Sequence, residues 1–242
     1  MSIHWVTAFL DSPPETAAAS EVFWTALTGT TMSERRGTRA EFATLLPDPG
    51  DACLRVQEVG QSVPGGLHLD LHAVDVPALA ARAEELGASA SYVEPGLVVC
   101  GSPGGLTFCV VGEPGRTVPS PQEWEGGRSL VDQVCLDIPP SRYDAETAFW
   151  QQLTGWARVD AGEFERLVRP PRLPLAFLLQ RLADEQLTVT AHLDLSCDDR
   201  DAETARQQAL GAEVVRRTDG WTVMRDPAGR HYCNTGRRPG EV

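Results

Sequence analysis

No stretch of this chain approaches the roughly 20 consecutive apolar residues that span a bilayer. Met1 to Leu10 also lacks the basic region and apolar core of a secretory leader. A cytoplasmic protein with no membrane partner is therefore expected. Basic clusters are scarce as well. The formal charge is -13, and a phosphate-binding surface needs clustered Lys and Arg to displace counterions, so nucleic acid is not expected as a partner. The pairs Arg35-Arg36, Arg216-Arg217 and Arg237-Arg238 are each followed closely by a turn residue or an acid, and they read as solvated surface. The cysteines, Cys53, Cys100, Cys109, Cys135, Cys197 and Cys233, show no CxxC spacing. They read as reduced, mostly buried thiols, not as a disulfide framework or zinc knuckle. Nucleophile elbow, phosphate loop and dinucleotide fingerprint are all missing, and Gly101-Ser102-Pro103-Gly104-Gly105 reads as a turn between strands.

What is present is a globular composition. Hydrophobic residues make up 42% and charged residues 23% of 242 positions, enough to bury the core of one large domain or two ordinary ones. An internal repeat decides between these. Phe23-Trp24-Thr25-Ala26-Leu27-Thr28-Gly29 returns as Phe149-Trp150-Gln151-Gln152-Leu153-Thr154-Gly155, an offset of 126. His68-Leu69-Asp70-Leu71 returns as His192-Leu193-Asp194-Leu195, and Leu86-Gly87-Ala88 as Leu210-Gly211-Ala212, at an offset of 124. Ser102-Pro103-Gly104 to Cys109 likewise answers to Asp226-Pro227-Ala228 to Cys233. Two tandem domains are expected, at 1–112 and 128–242, joined by a Pro/Gly-rich linker at 113–127.

Within one copy the apolar period alternates in a fixed order. Trp5 to Leu10 predicts a strand, and Ser12-Pro13-Pro14-Glu15 has the form of a capping box opening a helix that stops at Gly29. Two strands follow, near Glu41 to Leu46 and Ala52 to Val59. The order then restarts with a strand at Leu67 to Ala73, a helix opened by Asp75-Val76-Pro77, and strands near Leu97 to Cys100 and Leu106 to Val111. Each copy thus reads as two βαββ halves. The Phe23-Trp24 and Phe149-Trp150 pairs lie at core spacing on helices and read as packing residues.

A strand followed by a helix ending F-W-x-x-L-T-G, then H-x-D-L before a helix ending L-G-A, then D-P-x-G-x-x-[FY]-C, resembles the glyoxalase-like branch of the vicinal oxygen chelate superfamily. That superfamily includes glyoxalase I, bleomycin-resistance proteins, fosfomycin-resistance enzymes and extradiol dioxygenases. The resemblance implies an α+β fold of two tandem domains, each of paired βαβββ modules curled into an incomplete barrel around a small-molecule ligand. It also implies, in catalytic members, a divalent metal such as Zn, Ni, Mn or Fe, held by one ligand from the first strand and one carboxylate from a late strand of each module.

Carried over by resemblance, His4 falls near the family's first His and His68 at its second, while Arg55 and Cys109 stand where the two carboxylates would be. A guanidinium has no lone pair to give a metal. Cys109 could join His4 and His68 as a soft-ion ligand, or be a small buried hydrophobe. In the second copy Leu130 stands near the place of His4 and Leu178 near that of Arg55, so only His192 and Cys233 persist and no tight metal site is expected there. Asp70 and Asp194 follow each His by two on the same strand face, placed to orient it, to act as a base or to serve the structure. The ligand-binding candidates are therefore His4, Arg55, His68, Asp70, Cys109, His192, Asp194 and Cys233. The expected function is small-molecule binding with degenerate metal sites, in a monomer that acts as its own pseudo-dimer. The alternative is a metal-dependent lyase, isomerase or dioxygenase working through His4, His68 and Cys109, ordinary glyoxalase I activity being unexpected without the carboxylates.

Overall fold

The structure, a computed structural model, describes residues 2–61, 63, 65–113 and 115–241. The first copy opens with β1 (Ile3–Ser12), α1 (Pro14–Thr28), β2 (Thr31–Met32), β3 (Phe42–Leu46) and β4 (Leu54–Glu58). It repeats that order as β5 (Gly66–Ala73), α2 (Val76–Glu85), β6 (Ser89–Glu94), β7 (Leu97–Gly101) and β8 (Thr107–Val111). A short strand, β9 (Gln122–Trp124), lies within the expected linker, whose Pro114 is outside the described residues. The second copy follows as β10 (Gly127–Ile138), α3 (Tyr143–Thr154), β11 (Ala157–Asp160), β12 (Glu165–Val168) and β13 (Ala176–Arg181), then β14 (Thr190–Cys197), α4 (Arg200–Ala209), β15 (Glu213–Arg217), β16 (Trp221–Arg225) and β17 (His231–Thr235).

Each half is βαβββ, one strand more than the apolar period shows. β2 has only two residues, and β6 is exposed along its whole length, so neither carries an alternation to read. The strands form two unclosed curled sheets, ordered β2-β3-β4-β1-β5-β8-β7-β6 and β11-β12-β13-β10-β14-β17-β16-β15. β5 runs parallel to β8 and β14 parallel to β17, while the outer strands pair antiparallel. Seven of the eight residues of β5 are buried, as both faces of an inner parallel strand require.

Helix boundaries follow local chemistry with one correction. Gly29 and Gly155 end α1 and α3 at φ 64° and 69°, a left-handed conformation that glycine adopts without a Cβ clash. Asp75 and Asp199 cap α2 and α4 through bonds to the amides of Ala78 and Ala202. Ser12, however, does not cap α1. Pro13 occupies the cap position, and the Ser12 hydroxyl instead accepts from Arg230 Nη2 at 3.1 Å. A guanidinium that needs buried acceptors draws the hydroxyl away from the helix end.

The chain divides into two compact units, and neither is a sequence copy. Unit 1 comprises Met1–Ala8, Leu67–Arg116 and Val134–Ala191; unit 2 comprises Phe9–Gly66, Thr117–Gln133 and His192–Val242. Unit 1 is built on Trp150, which meets the rings of Phe108, Phe149 and Phe177 at centroid distances of 5.3, 5.2 and 5.5 Å. In unit 2, Trp24 meets Phe23 at 5.8 Å and Tyr232 at 5.4 Å. These tilted and edge-to-face contacts contribute about 0.5–1.5 kcal/mol each beyond burial, and all four residues of the two Phe-Trp pairs are core. All six cysteines are buried. No helix among the described residues is long and apolar enough to cross a membrane.

Candidate functional site

In unit 1 the candidate residues come from two neighbouring parallel strands. β5 carries His68 and Asp70 two residues apart, hence on one face. The register sets Asp70 directly opposite Cys109 of β8. The imidazole, carboxylate and thiol ligand atoms all lie within 4.8 Å of one another. His68, Asp70 and Cys109 are 8%, 4% and 8% exposed. His72, next on that face, is hydrogen-bonded to Thr7 Oγ1 at 3.0 Å and to the Gly112 carbonyl at 2.8 Å, which ties β5 to β1. His4, by contrast, is exposed and meets Ser2 Oγ at 2.9 Å, so it is not among the residues that converge.

In unit 2 the equivalent residues form a hydrogen-bonded chain. His192 Nε2 lies 3.3 Å from Asp194 Oδ1 and 3.5 Å from Cys233 Sγ. Gln133 Nε2 donates to the other oxygen of Asp194 at 2.6 Å. Burial pushes the Asp194 carboxyl up, but the His192 hydrogen bond and charge, the Arg237 charge and the Gln133 hydrogen bond together outweigh it and hold the group below its ordinary value. Gln133 escaped sequence reading because nothing in a lone glutamine on a strand marks it. Its place on β10, one residue from Asp132, is visible only once β10 and β14 are neighbours. Arg55, also in unit 2, stands 5.6 Å from the Phe9 ring centroid in a cation–π arrangement.

One reading of surface charge is corrected. Arg237 is not merely solvated: its two terminal nitrogens donate to both oxygens of Asp132, at 3.0 and 2.7 Å, and Asp132 is 2% exposed. The bidentate fork satisfies a buried carboxylate that would otherwise be costly.

An apolar cleft of about 460 Å3, counting its open mouth, also lies in unit 2. Leu27, Leu45, Leu54, Val131 and Leu195 line it, with Gln122 and Ser129. None of the candidate residues does.

The residues of unit 1 fit a divalent metal by the chemistry of their donors. His68, Asp70 and Cys109 offer nitrogen, oxygen and sulfur within reach of one ion. A set containing thiolate suits zinc better than manganese or iron(II), which favour oxygen-rich surroundings. Bound there, a metal would polarise an oxygen of a ligand as a Lewis acid. The protein's own part is to hold the three donors on rigid, buried strands and to restrict water.

The chain matches the model of the glyoxalase-like domain twice, over residues 8–111 and 133–235. No curated protein matches it in sequence. Among solved structures it is similar to the Mn(II)-bound glyoxalase from Novosphingobium aromaticivorans, with a TM-score of 0.68 and 18% identity over 97% of this chain and 82% of that one. It is also similar to the 2,2',3-trihydroxybiphenyl 1,2-dioxygenase from Sphingomonas wittichii strain RW1, with a TM-score of 0.65 and 14% identity over 100% of this chain and 93% of that one. At such identities the likeness is one of fold. The two family matches, falling on the two βαβββ pairs, show that this chain belongs to the glyoxalase-like family of the vicinal oxygen chelate superfamily and carries its domain twice.

Proposed function

We propose that the chain binds a small molecule of apolar or mixed polarity in the concavity of its curled sheets, and that it runs neither glyoxalase I nor ring-cleavage chemistry. The observation that carries this reading is the loss of the family's carboxylates. Cys109 and Cys233 occupy the late-strand positions, and Arg55 and Leu178 fall near the others. A thiol is a poor substitute where manganese or iron must be held by oxygen. Arg55, half-buried on β4, is the cation that this reading assigns to an anionic or carbonyl group of the ligand. The chain is expected to act as a monomer, its two copies standing in for a dimer.

Isothermal titration against a metabolite panel tests this. Saturable binding of at least one compound, weakened by Arg55→Ala, is the expected result. Turnover of a thiol hemithioacetal or cleavage of a catechol with Mn or Fe, abolished in His68→Ala, would overturn it. A second reading, a metal-dependent lyase or isomerase in the first copy, has the convergence of His68, Asp70 and Cys109 in its favour. It requires metal-dependent turnover of a substrate whose ring or thioester bond is not oxidised, lost in His68→Ala.

A further inference from the structure

We infer that the narrow apolar cleft of unit 2 is a ligand site in its own right, built for a slender uncharged molecule with one hydroxyl on an aliphatic body. The inference goes beyond binding in the concavity and does not depend on it. The walls all come from one compact unit: Leu27 of α1, Leu45 of β3, Leu54 of β4, Val131 of β10 and Leu195 of β14. None of the five is more than 5% exposed, so the cleft floor is dry. It also lies away from the candidate residues. Leu45 and Leu54 are cross-strand partners one position from the Thr44–Arg55 pair, hence on the sheet face opposite Arg55, and Leu195 likewise points away from the face of Asp194.

The roof of the cleft is the segment that joins the two copies. At one end the Thr117 amide donates to Asp51 Oδ2 at 2.9 Å and the Asp51 amide to the Thr117 carbonyl at 2.7 Å. At the other, Trp124 Nε1 donates to Ser129 Oγ at 2.8 Å, and the Arg206 guanidinium lies 3.8 Å from the Trp124 ring centroid while bonding the Leu27 carbonyl at 2.9 Å. Between these pins, Pro119 and Pro121 have no amide N–H to tie them down. That short stretch is the part of the roof that an entering ligand lifts.

The lining selects the occupant. No charged side chain faces the cleft, so a carboxylate or ammonium would lose its water there without gaining a counter-ion. Two polar lining residues, Thr30 and Gln122, flank Gly29, where an added Cβ would fall 2.9 Å from Gln122 Oε1. Thr28 Oγ1 gives its only proton to the Trp24 carbonyl at 2.6 Å, so Thr30 is the donor in the 2.8 Å contact between the two hydroxyls and keeps its own oxygen able to accept. The Gln122 side-chain amide has no hydrogen-bond partner among the described residues. A ligand hydroxyl donates to Thr30 and accepts from Gln122, while the chain behind it fills the leucine walls.

Isothermal titration of the intact chain with 1-hexanol, 1-octanol and octanoate at neutral pH tests this. Saturable binding of about one alkanol per chain is expected, tightened roughly four-fold for each added methylene, with octanoate weaker than 1-octanol by about ten-fold or more. Gln122→Ala should weaken 1-octanol by about five-fold. Leu130→Trp, which fills the mouth from a half-buried position, should abolish binding, and Arg55→Ala and His68→Ala should leave it unchanged. Circular dichroism separates lost binding from lost fold. In the wild type alone, irradiation with a diazirine-bearing octanol should label peptides containing residues 119–122 or 129–131. Failure of the wild type to bind 1-octanol, octanoate binding as tight as 1-octanol, binding that survives in folded Leu130→Trp, or label confined to other segments overturns the inference. Metabolite binding weakened by Arg55→Ala, with no alkanol bound, would sink this site and leave the concavity reading standing; alkanol binding indifferent to Arg55→Ala, with no metabolite bound, would do the reverse.

Discussion

Unit 1 and unit 2 build the same helix-on-sheet layer from opposite chemistry. In unit 1, α2 packs on β8 through buried Leu79, Ala80 and Ala83, with Phe108 and Val110 on the strand. The equivalent positions of α4 and β17 in unit 2 are Glu203, Thr204, Gln207, Tyr232 and Asn234, and every one is buried. Gln207 accepts from Tyr232 Oη at 2.9 Å and from Asn234 Nδ2 at 2.8 Å, and donates to Asn234 Oδ1 at 3.0 Å and Glu203 Oε1 at 2.8 Å. Arg206 closes the network on Glu203 at 2.6 Å. Burial, not apolarity, is what the repeat preserved. A polar layer survives there because its donors and acceptors answer one another.

The buried tryptophans teach the same lesson. In unit 1 the acid that accepts from Trp150 Nε1 sits on the helix: Glu146, at 2.7 Å, which also takes the Gly104 amide at 2.7 Å. A Cβ on Gly104 would fall 2.3 Å from Val189 Cγ2 and 2.7 Å from Glu146 Oε2, so a larger residue there would have to displace these side chains. In unit 2 the acid sits on the turn: Asp226 accepts from Trp24 Nε1 at 2.8 Å, and Ser20 occupies the helix position. Ser102 and Ser20 thus mark the places that each unit's acid has left. Only unit 2 adds a cation, Arg230, which bonds Asp226, Ser20, Ser12 and the carbonyls of Asp11 and Gly66.

The largest effect should come from breaking that ion pair. Asp226→Ala leaves Arg230 buried without its counter-ion and is expected to cost about 3–5 kcal/mol, against about 1–3 kcal/mol for Glu146→Ala, which strands neutral donors. Urea unfolding of the two variants checks the order, and equal losses would show that the cation matters less than its burial suggests. Next is the polar layer. Gln207→Ala should cost about 2–3 kcal/mol by leaving Tyr232, Asn234 and Glu203 short of partners. The five-residue exchange to unit 1's set, Glu203→Leu, Thr204→Ala, Gln207→Ala, Tyr232→Phe and Asn234→Val, should be near neutral or stabilising. A large loss in the five-residue exchange would show that the network itself, not its completeness, holds α4.

A smaller effect concerns pH. Burial raises the Glu146 carboxyl above 4.5, although bonds from Ser102, Trp150 and Gly104 oppose the rise. A value higher when folded than unfolded means stability that is complete below about pH 4.5 and lost as pH climbs through the raised value. Glu146→Gln should flatten that part of the pH–stability curve, and an unchanged slope would assign it to other groups. The smallest effect belongs to exposed pairs such as Arg217–Asp201 at 2.6 Å, with side chains 49% and 76% exposed. Removing Arg217 should change stability by no more than about 0.5 kcal/mol.

Much of the fold was legible because repetition and turn chemistry are local. The Phe-Trp helices, the Gly29 and Gly155 stops, the Asp75 cap and the His-x-Asp strands all declare themselves in short windows. β6 did not, since an exposed edge strand has no apolar period, and Ser12 misled because a capping pattern cannot reveal a distant guanidinium. The candidate site was legible in part. His68 and Cys109 stand out by resemblance, but Asp70 became their neighbour only through the β5–β8 register, and His4 parted from them because its side chain turns to solvent.

By itself, then, the sequence determined a duplicated chain of βαββ halves with histidines on matching strands, because periodicity, caps and glycine stops act over a few residues. Only the tertiary structure decided which residues of the two copies share a compact unit, that α4 buries polar side chains, and that a carboxylate and a thiol meet beside His68. Those outcomes depend on partners far apart in the chain, where burial turns an ordinary glutamine, arginine or aspartate into one that must find a mate.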